Sequence, residues 1–136
     1  MKLFGNGFLY LVQHDAPGVI IGSLEGDGPV FLGQNTLGIG SNDLSTVFSG
    51  VIQDDGSVTK VGRGTLTLTN ANRYSGGTVI RSGTLRVTNA SGSGTGAGAV
   101  NVNGGTLGGS GIIAGAVTVG MGSGRTAVLA PGAGTK

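Results

Sequence analysis

The sequence predicts an all-β protein whose short strands are wound into a β-solenoid, and three observations support this fold class. Glycine contributes 31 of the 136 residues, which argues against helices because each interior glycine costs a helix about 1 kcal/mol. The segment GTLTLT, residues 64–69, alternates threonine with leucine, the period of a strand with one apolar face. The third observation is a leucine that recurs at intervals of about 20 residues, a period typical of solenoids. The series consists of Leu66, Leu85, Leu107 and Leu129.

The N-terminal segment MKLFGNGFLYLVQHDAPG is predicted to be a strand of the same architecture. It begins with a lysine and an apolar stretch, as a signal peptide does. However, Gly5, Asn6 and Gly7 interrupt that stretch, and no small-x-small cleavage site precedes the polar QHD. The stretch is also too short to span a bilayer. We therefore expect a fragment of a longer repeat array that does not insert into a membrane.

The region before residue 60 is predicted to contain less regular strands. Runs of Val, Ile and Leu predict strands at 19–24, 30–32 and 37–39, and STVFSGVIQ offers another. The Asp-Gly step in QDDGS favours a tight reversal of the chain. Leu37 precedes Leu66 by clearly more than one interval of the leucine series, so an additional strand or a longer loop is expected between them.

The region from residue 60 onward is predicted to form regular coils. Period-two alternation predicts strands in GTLRVT, AVNVN and AVTV. A second series of inward residues is expected at Val79, Val100 and Val117, whose spacing is close to that of the leucines. The Ser/Gly-rich segment 89–98 is predicted to be a loop that leaves one coil. Residues 1–136 then form a single solenoid segment, less regular at 1–59 and regular at 60–136.

The tripeptide Gly-Thr-Leu occurs three times, and each of its residues has a predicted structural role. Gly64, Gly83 and Gly105 are expected at the corners of successive coils, where glycine accepts a positive φ without strain. The threonine is expected to face water. The leucine is expected to fill the interior, so that Leu66 lies beneath Leu85 and Leu85 beneath Leu107, in coils stacked about 4.8 Å apart.

Composition excludes several classes of chemistry. The chain has no cysteine, so it has neither disulfides nor thiolate chemistry. Its net charge of +2 combines an acidic first part with seven basic residues and no acid from Lys60 onward. These basic residues are scattered between Lys60 and Lys136 without a cluster, which is typical of solubilising surface charge. No nucleic-acid partner is therefore predicted.

The chain contains few candidates for catalysis. His14 is the only histidine, and neighbouring residues of a strand, such as His14 and Asp15, point to opposite faces. Glu25 and Asp27 share a face if the segment is extended, with carboxylates about 6–7 Å apart, near the separation used in sugar hydrolysis. The adjacent Asp54 and Asp55 lie in a predicted turn. Neither carboxylate pair has a neighbouring His or Arg, so the sequence predicts no enzyme and no catalytic, cofactor-binding or metal-binding residue.

Residues 64–87, GTLTLTNANRYSGGTVIRSGTLRV, resemble the autotransporter-associated β-strand repeat. The matching order is strand, Asn-Ala-Asn-x-Tyr-Ser-Gly-Gly-Thr turn, strand, Gly-Thr-Leu and strand, and flanking similarity extends the resemblance to about 19–132. The resemblance implies a right-handed parallel β-helix that is secreted or displayed at the cell surface, associated with the outer membrane through a parent protein. This family carries no shared catalytic residues, so the resemblance assigns none here.

These observations predict a structural and interaction segment, a stalk or adhesin spacer without chemistry of its own. The expected partners are neighbouring coils of the parent protein, surface glycans or host surfaces, and other copies through the open solenoid ends. Two alternatives remain. One is a polysaccharide-cleaving β-helix that uses Glu25 and Asp27; the other is a surface that binds glycan or lipopolysaccharide through Arg63, Arg81 and Arg86.

Overall fold

A computed structural model describes residues 2–3, 7–12, 18–120 and 127–131, and in these ranges it contains strands and turns but no helix. No helix long and apolar enough to cross a membrane is therefore found in the described ranges. The strands are β1 Lys2–Leu3, β2 Leu9–Tyr10, β3 Gly18–Ile21, β4 Glu25–Gly26, β5 Val30–Phe31, β6 Thr36–Ile39, β7 Thr46–Phe48, β8 Ile52–Asp54, β9 Ser57–Lys60, β10 Thr65–Leu68, β11 Arg73–Tyr74, β12 Thr78–Ile80, β13 Thr84–Val87, β14 Val100–Val102, β15 Gly105–Gly109, β16 Val117–Val119 and β17 Ala127–Pro131.

The strands form three parallel sheets that the chain visits in turn, and this confirms the predicted β-solenoid. Sheet A contains β1, β4, β7, β10, β13, β15 and β17; sheet B contains β2, β5, β8 and β11; sheet C contains β3, β6, β9, β12, β14 and β16. Every pairing between these strands is parallel and joins a strand to the equivalent strand of the next coil. The solenoid has about five coils.

The Gly-Thr-Leu tripeptides stack on one another in sheet A as predicted. Leu66 pairs with Leu85, and Leu85 pairs with Leu107, which pairs with Leu129. The threonine before each leucine follows the same register, so Thr65, Thr84 and Thr106 form a half-exposed row on the outer face. The recurring tripeptide is therefore one position of the coil, repeated at each turn.

A continuous apolar core runs along the interior of the coils. It is lined by Leu66, Leu85 and Leu107 from sheet A, Val30 and Ile52 from sheet B, and Leu37, Val58, Ile80, Val100 and Val102 from sheet C. Each of these side chains is at most 1% exposed. In β9, β10, β12, β13 and β14 one face of the strand is turned inward, and burial there follows the period of two that the sequence displays.

The predicted inward series of sheet C is wrong at its first member, and its last member, Val117, is 38% exposed. Val79 pairs with Asn101 on the outer face, whereas Thr78 pairs with Val100, which pairs with Val117. The strand is therefore shifted by one residue, which exchanges its two faces. Thr78 accepts the inward position because its hydroxyl lies 2.6 Å from the buried phenol of Tyr74.

One further expectation about the first half of the chain is wrong. QDDGS does not reverse the chain, because β8 belongs to sheet B and β9 to sheet C, so these residues form a corner between parallel sheets. The expected additional strand between Leu37 and Leu66 is present, because β7, β8 and β9 lie between them. Leu37 pairs with Val58 in sheet C, and the sheet A neighbour of Leu66 in the preceding coil is Thr46.

The corner role of glycine is correct for two of the three Gly-Thr-Leu tripeptides. Gly83 and Gly105 have φ angles of 70° and 68°. Gly64 does not have a positive φ. Glycine is required there for a steric reason. A Cβ at Gly64 would lie 2.3 Å from the carbonyl oxygen of Leu44, so the coil below leaves no room for a side chain.

Sheet B ends at β11, and later coils cross this side of the solenoid without a strand. Residues 88–99 contain turns and bends only. They still stack on the preceding coil, because the amide of Ala97 donates to the carbonyl of Tyr74 and the amide of Asn72 donates to the carbonyl of Ser93. The Ser/Gly-rich segment is thereby held against the core.

Candidate functional site

The two carboxylates singled out for sugar hydrolysis line the same notch on the outer surface of sheet A. Glu25 lies in β4, and Asp27 lies in the bend that follows it. The notch has a volume of about 420 Å³, and its other walls come from the next coil, mainly Ser45, Val47 and Ser49. The structure thus brings Glu25 and Asp27 to one surface, as the sequence predicted.

The chemistry of this notch is limited. Its hydroxyl groups serve to stack the coils: Thr46 donates to the carbonyl of Leu24 at 2.6 Å, and Ser49 donates to the carbonyl of Gly26 at 3.2 Å. The residues that line the notch include no Lys, Arg or His. Among the described residues, no group of three or more His, Asp or Glu side chains could hold a metal ion.

Asp54 and Asp55 make contacts to two different coils. The Oδ2 of Asp54 accepts a hydrogen bond of 3.0 Å from the amide of Gly33 in the coil below. The Oδ1 of Asp55 accepts a hydrogen bond of 3.2 Å from the hydroxyl of Ser75 in the coil above. These carboxylates therefore connect coils. His14 and Asp15 lie outside the described residues.

The three arginines proposed for anion binding do not lie on one face. Arg86 is exposed in β13 of sheet A, Arg81 follows β12 of sheet C, and Arg63 is exposed in the segment between β9 and β10. Arg81 lines an open groove of about 410 Å³ on sheet C, whose other walls include Ile20 and Val61. The arginines are therefore not assembled into a single site.

Sequence reasoning missed a set of buried asparagines that join the coils. Asn72 accepts from the amide of Ile52 at 2.8 Å and donates to the carbonyl of Gly94 at 2.7 Å, so it links three successive coils. Asn35 donates to the carbonyl of Leu11 at 2.7 Å, and Asn89 accepts from the amide of Ile112 at 2.9 Å. Asn72 and Asn89 each follow a strand of sheet A, whereas Asn35 lies between a strand of sheet B and a strand of sheet C, so no common spacing in the sequence marks the three.

Sequence reasoning also missed a buried lysine. Lys60 is 1% exposed and stands in sheet C between Ile39 and Ile80. Its Nζ donates to the backbone carbonyls of Val61 and Gly62. Burial lowers the pKa of the Lys60 ammonium, and the Asp43 carboxylate raises this pKa in part. The alternation in Ser-Val-Thr-Lys was the available signal, because Val58 and Lys60 share the inward face.

A third unpredicted feature is a row of side chains along the outer face of sheet B, which we call the sheet B ladder. Tyr10 pairs with Phe31, Phe31 with Gln53, and Gln53 with Arg73. Phe8 adds a third ring, with its centroid 6.5 Å from that of Phe31, and the Tyr10 and Phe31 centroids are 5.9 Å apart. Successive members of the ladder are one coil apart along the chain, so only the coil period brings them together.

Comparisons with known proteins agree with this architecture. Residues 58–87 match the family model described as the passenger-associated-transport-repeat. The chain is 40% identical over 91 residues to a protein of Brucella suis biovar 1 (strain 1330) named adhesin BmaC autotransporter. That alignment covers 67% of this chain, but the chain spans only 3% of the relative's length. No solved structure matches the chain.

The fold and the family match together identify the class of protein. The matched residues 58–87 form a complete coil of the parallel solenoid together with the neighbouring strands. This arrangement defines a passenger-type β-solenoid segment. Residues 58–87 of the chain are an autotransporter passenger repeat, and the predicted resemblance is confirmed. The chain is accordingly secreted and located at the cell surface through an outer-membrane parent protein.

Proposed function

We propose that this passenger segment is a stalk or spacer that holds adhesive or enzymatic parts of a surface protein away from the cell. The observation that carries this proposal is the unbroken core, in which Leu66, Leu85 and Leu107 of three successive coils pair directly. Each added coil lengthens such a rod by about 4.8 Å without changing its cross-section. A spacer requires this uniform extension.

Side-chain hydrogen bonds between coils support a mechanical role. The hydroxyls of Thr36 and Ser57 are 2.7 Å apart across sheet C, and the carboxylate of Asp43 accepts from the amide of Arg63 at 2.7 Å. Asn72 links three coils. Because stability in a solenoid comes from each coil and its nearest neighbours, contacts of this kind stiffen the rod along its axis.

The whole chain, 1–136, serves in this proposal as a single solenoid segment, with less regular coils at 1–59 and regular coils at 60–136. The register of sheets A and C continues through both parts, which supports one unit. Its partners would be neighbouring coils of the parent protein, to which both ends of the sheets can add strands. The adhesin name of the relative supports a role in contact with host surfaces or surface glycans.

Duplication of one coil tests the spacer role. A second copy of residues 64–82, inserted after Ser82, supplies one full coil, the interval that carries the chain from Leu66 to its partner Leu85. We expect a folded protein whose maximum dimension in small-angle scattering grows by about 4.8 Å and whose melting temperature does not fall. A partly unfolded or collapsed product would contradict a modular rod. A duplication of 64–77, which breaks the register, serves as the control and should unfold.

We also propose that the segment has no catalytic activity of its own, and the notch at Glu25 and Asp27 provides the test. Incubation with acidic and neutral polysaccharides should release no reducing ends. If the protein releases them and Glu25→Gln or Asp27→Asn abolishes the release while Asp55→Asn does not, the polysaccharide-cleaving alternative replaces this proposal. Asp55 is the matched control because it is exposed and lies on another side of the coil.

A further inference from the structure

We propose that the sheet B ladder binds an oligosaccharide that contains a uronic acid. The ladder places two aromatic rings, an amide and a guanidinium in one row, at Tyr10, Phe31, Gln53 and Arg73. Parallel coils repeat at about 4.8 Å, so the row is about 14 Å long. This length suits a short sugar chain lying along the solenoid axis.

The aromatic part of the ladder forms an exposed surface for a sugar ring. Phe8 and Tyr10 are 60% and 53% exposed, and both rings contact Phe31. By contrast, Phe48 and Tyr74 are fully buried in the core. The face of an aromatic ring is electronegative, and the C–H groups on one side of a pyranose carry the complementary partial charge. An outer-face aromatic cluster is therefore a surface on which a pyranose can stack.

The polar part of the ladder supplies groups for hydroxyls and a carboxylate. Gln53 offers an amide donor and acceptor, and the structure gives its side chain no hydrogen bond within the described residues. Arg73 is exposed, and no described acidic side chain pairs with it. A guanidinium matches a planar carboxylate through two parallel hydrogen bonds. The carboxylates of Asp54 and Asp55 accept hydrogen bonds from Gly33 and Ser75, and neither is paired with Arg73.

The size of the ladder favours a sugar over a protein partner. The ladder is one row of four side chains, whereas a stable protein interface takes about 20–30 residues a side. A short sugar chain can cover such a row, with its hydroxyls and its carboxylate beside Gln53 and Arg73. This inference does not depend on the spacer role, since a rod with or without a binding face can extend a protein.

Saturation-transfer NMR on the full chain tests the proposal. The probes are tetragalacturonate and a hyaluronan tetrasaccharide, with cellotetraose as the neutral comparison. We expect saturation of the ring protons of at least one uronate oligosaccharide, and weaker binding of cellotetraose. Tyr10→Ser and Arg73→Gln should each weaken the affinity about tenfold. The matched controls are Val47→Ser and Arg86→Gln, which change an exposed apolar and a basic side chain on sheet A.

Three outcomes would overturn the proposal. The first is the absence of saturation with both uronate probes at millimolar concentration. The second is an equal loss of affinity in Arg73→Gln and Arg86→Gln, which would indicate general electrostatic attraction. The third is self-association in sedimentation velocity that Tyr10→Ser abolishes, because the aromatic rings would then be covered by a second copy of the chain. Circular dichroism of each variant establishes that an affinity change does not reflect unfolding.

Discussion

The phenolic oxygen of Tyr74 lies 2.6 Å from the hydroxyl of Thr78, and both side chains are buried within the same coil. Tyr74 ends β11 of sheet B and Thr78 begins β12 of sheet C, so the bond spans the corner between the two sheets. Burial raises the pKa of the Tyr74 phenol, and the bond to Thr78 lowers this pKa in part. Each hydroxyl is thus the hydrogen-bonding partner of the other inside the core.

Removal of one member of this pair should cost more than removal of both. Tyr74→Phe leaves the Thr78 hydroxyl buried without its partner, and we expect a loss of about 1–3 kcal/mol in the free energy of unfolding. Thr78→Val should have a similar effect on the phenol. The double variant should be more stable than the sum of the single changes predicts. Urea unfolding of the four proteins measures this coupling, and strictly additive losses would contradict it.

The leucine stack of sheet A could be predicted from the sequence, whereas the inward face of β12, which carries Thr78, could not. The Gly-Thr-Leu stack was predictable because the period of a strand and the period of a coil coincide at Leu66, Leu85 and Leu107. The face of β12 was not predictable in this way. A threonine faces the core only if it finds a partner, and Tyr74 lies across a corner whose geometry no local pattern describes.

The candidate surfaces were predicted only in part, for a similar reason. Glu25 and Asp27 were expected on one surface because two positions along an extended strand share a face, and both line one notch. The sheet B ladder was not predicted because β2, β5 and β11 have only two residues each, too few to display alternation. Its members become neighbours only when coils are stacked in register. The burial of Lys60 departs from the general rule that lysine is almost never fully buried.

Replacement of Lys60 by methionine should stabilise the protein. Methionine fits an apolar position of similar volume between Ile39 and Ile80, and the exchange removes a buried charge. We expect a gain of about 1–4 kcal/mol at pH 7, by analogy with the range found when well-packed apolar residues replace a buried ion pair. Urea unfolding measures this gain. A Lys60→Met variant less stable than the parent would show that the bonds to the carbonyls of Val61 and Gly62 outweigh desolvation.

The advantage of Lys60→Met should shrink as the pH rises. The pKa of Lys60 is lower in the folded chain than in the unfolded chain, so between the two values the unfolded chain holds more protons. Stability therefore rises with pH in that window. The cost of burial is full below the folded pKa and gone above the unfolded value of about 10.4. Unfolding at pH 7 and pH 9.5 measures the difference, and Lys60→Arg, which stays charged, should show no such recovery.

Substitutions at Gly83 and Gly120 separate two contributions to stability at a corner of the coil: the strain of a positive φ angle and the steric clash with the adjacent coil. Both have positive φ angles, 70° and 80°. A Cβ at Gly83 would lie 2.4 Å from the carbonyl oxygen of Gly62, whereas a Cβ at Gly120 would have no atom of the described residues within 4 Å. Gly120→Ala should cost about 1–2 kcal/mol from the backbone conformation alone. Gly83→Ala should cost about 2–5 kcal/mol, because displacement of the adjacent coil adds to it. Equal melting temperatures for the two variants would contradict this account of the corner.

The side chain of Asn72 should be among the most important polar groups for stability. It accepts from the amide of Ile52 and donates to the carbonyl of Gly94, and it is only 5% exposed. Asn72→Ala leaves both backbone groups unsatisfied, and at about 1–3 kcal/mol each we expect a loss of about 2–6 kcal/mol. Urea unfolding measures the loss, and hydrogen exchange should show the amide of Ile52 losing protection before its neighbours.

Asn70 is the control for this experiment, because it differs from Asn72 mainly in exposure. Its side chain also reaches the coil below, where it donates to the carbonyl of Ser49 at 3.2 Å, but it does so at the surface. Water can replace that bond, so Asn70→Ala should cost less than about 1 kcal/mol. If Asn70→Ala and Asn72→Ala destabilise the protein equally, burial of the bridge is not what joins the coils. Asn72→Asp should also destabilise the protein, because the carboxylate would face the carbonyl oxygen of Gly94 without a proton to donate. A stable Asn72→Asp variant would likewise contradict the proposed role of the bridge.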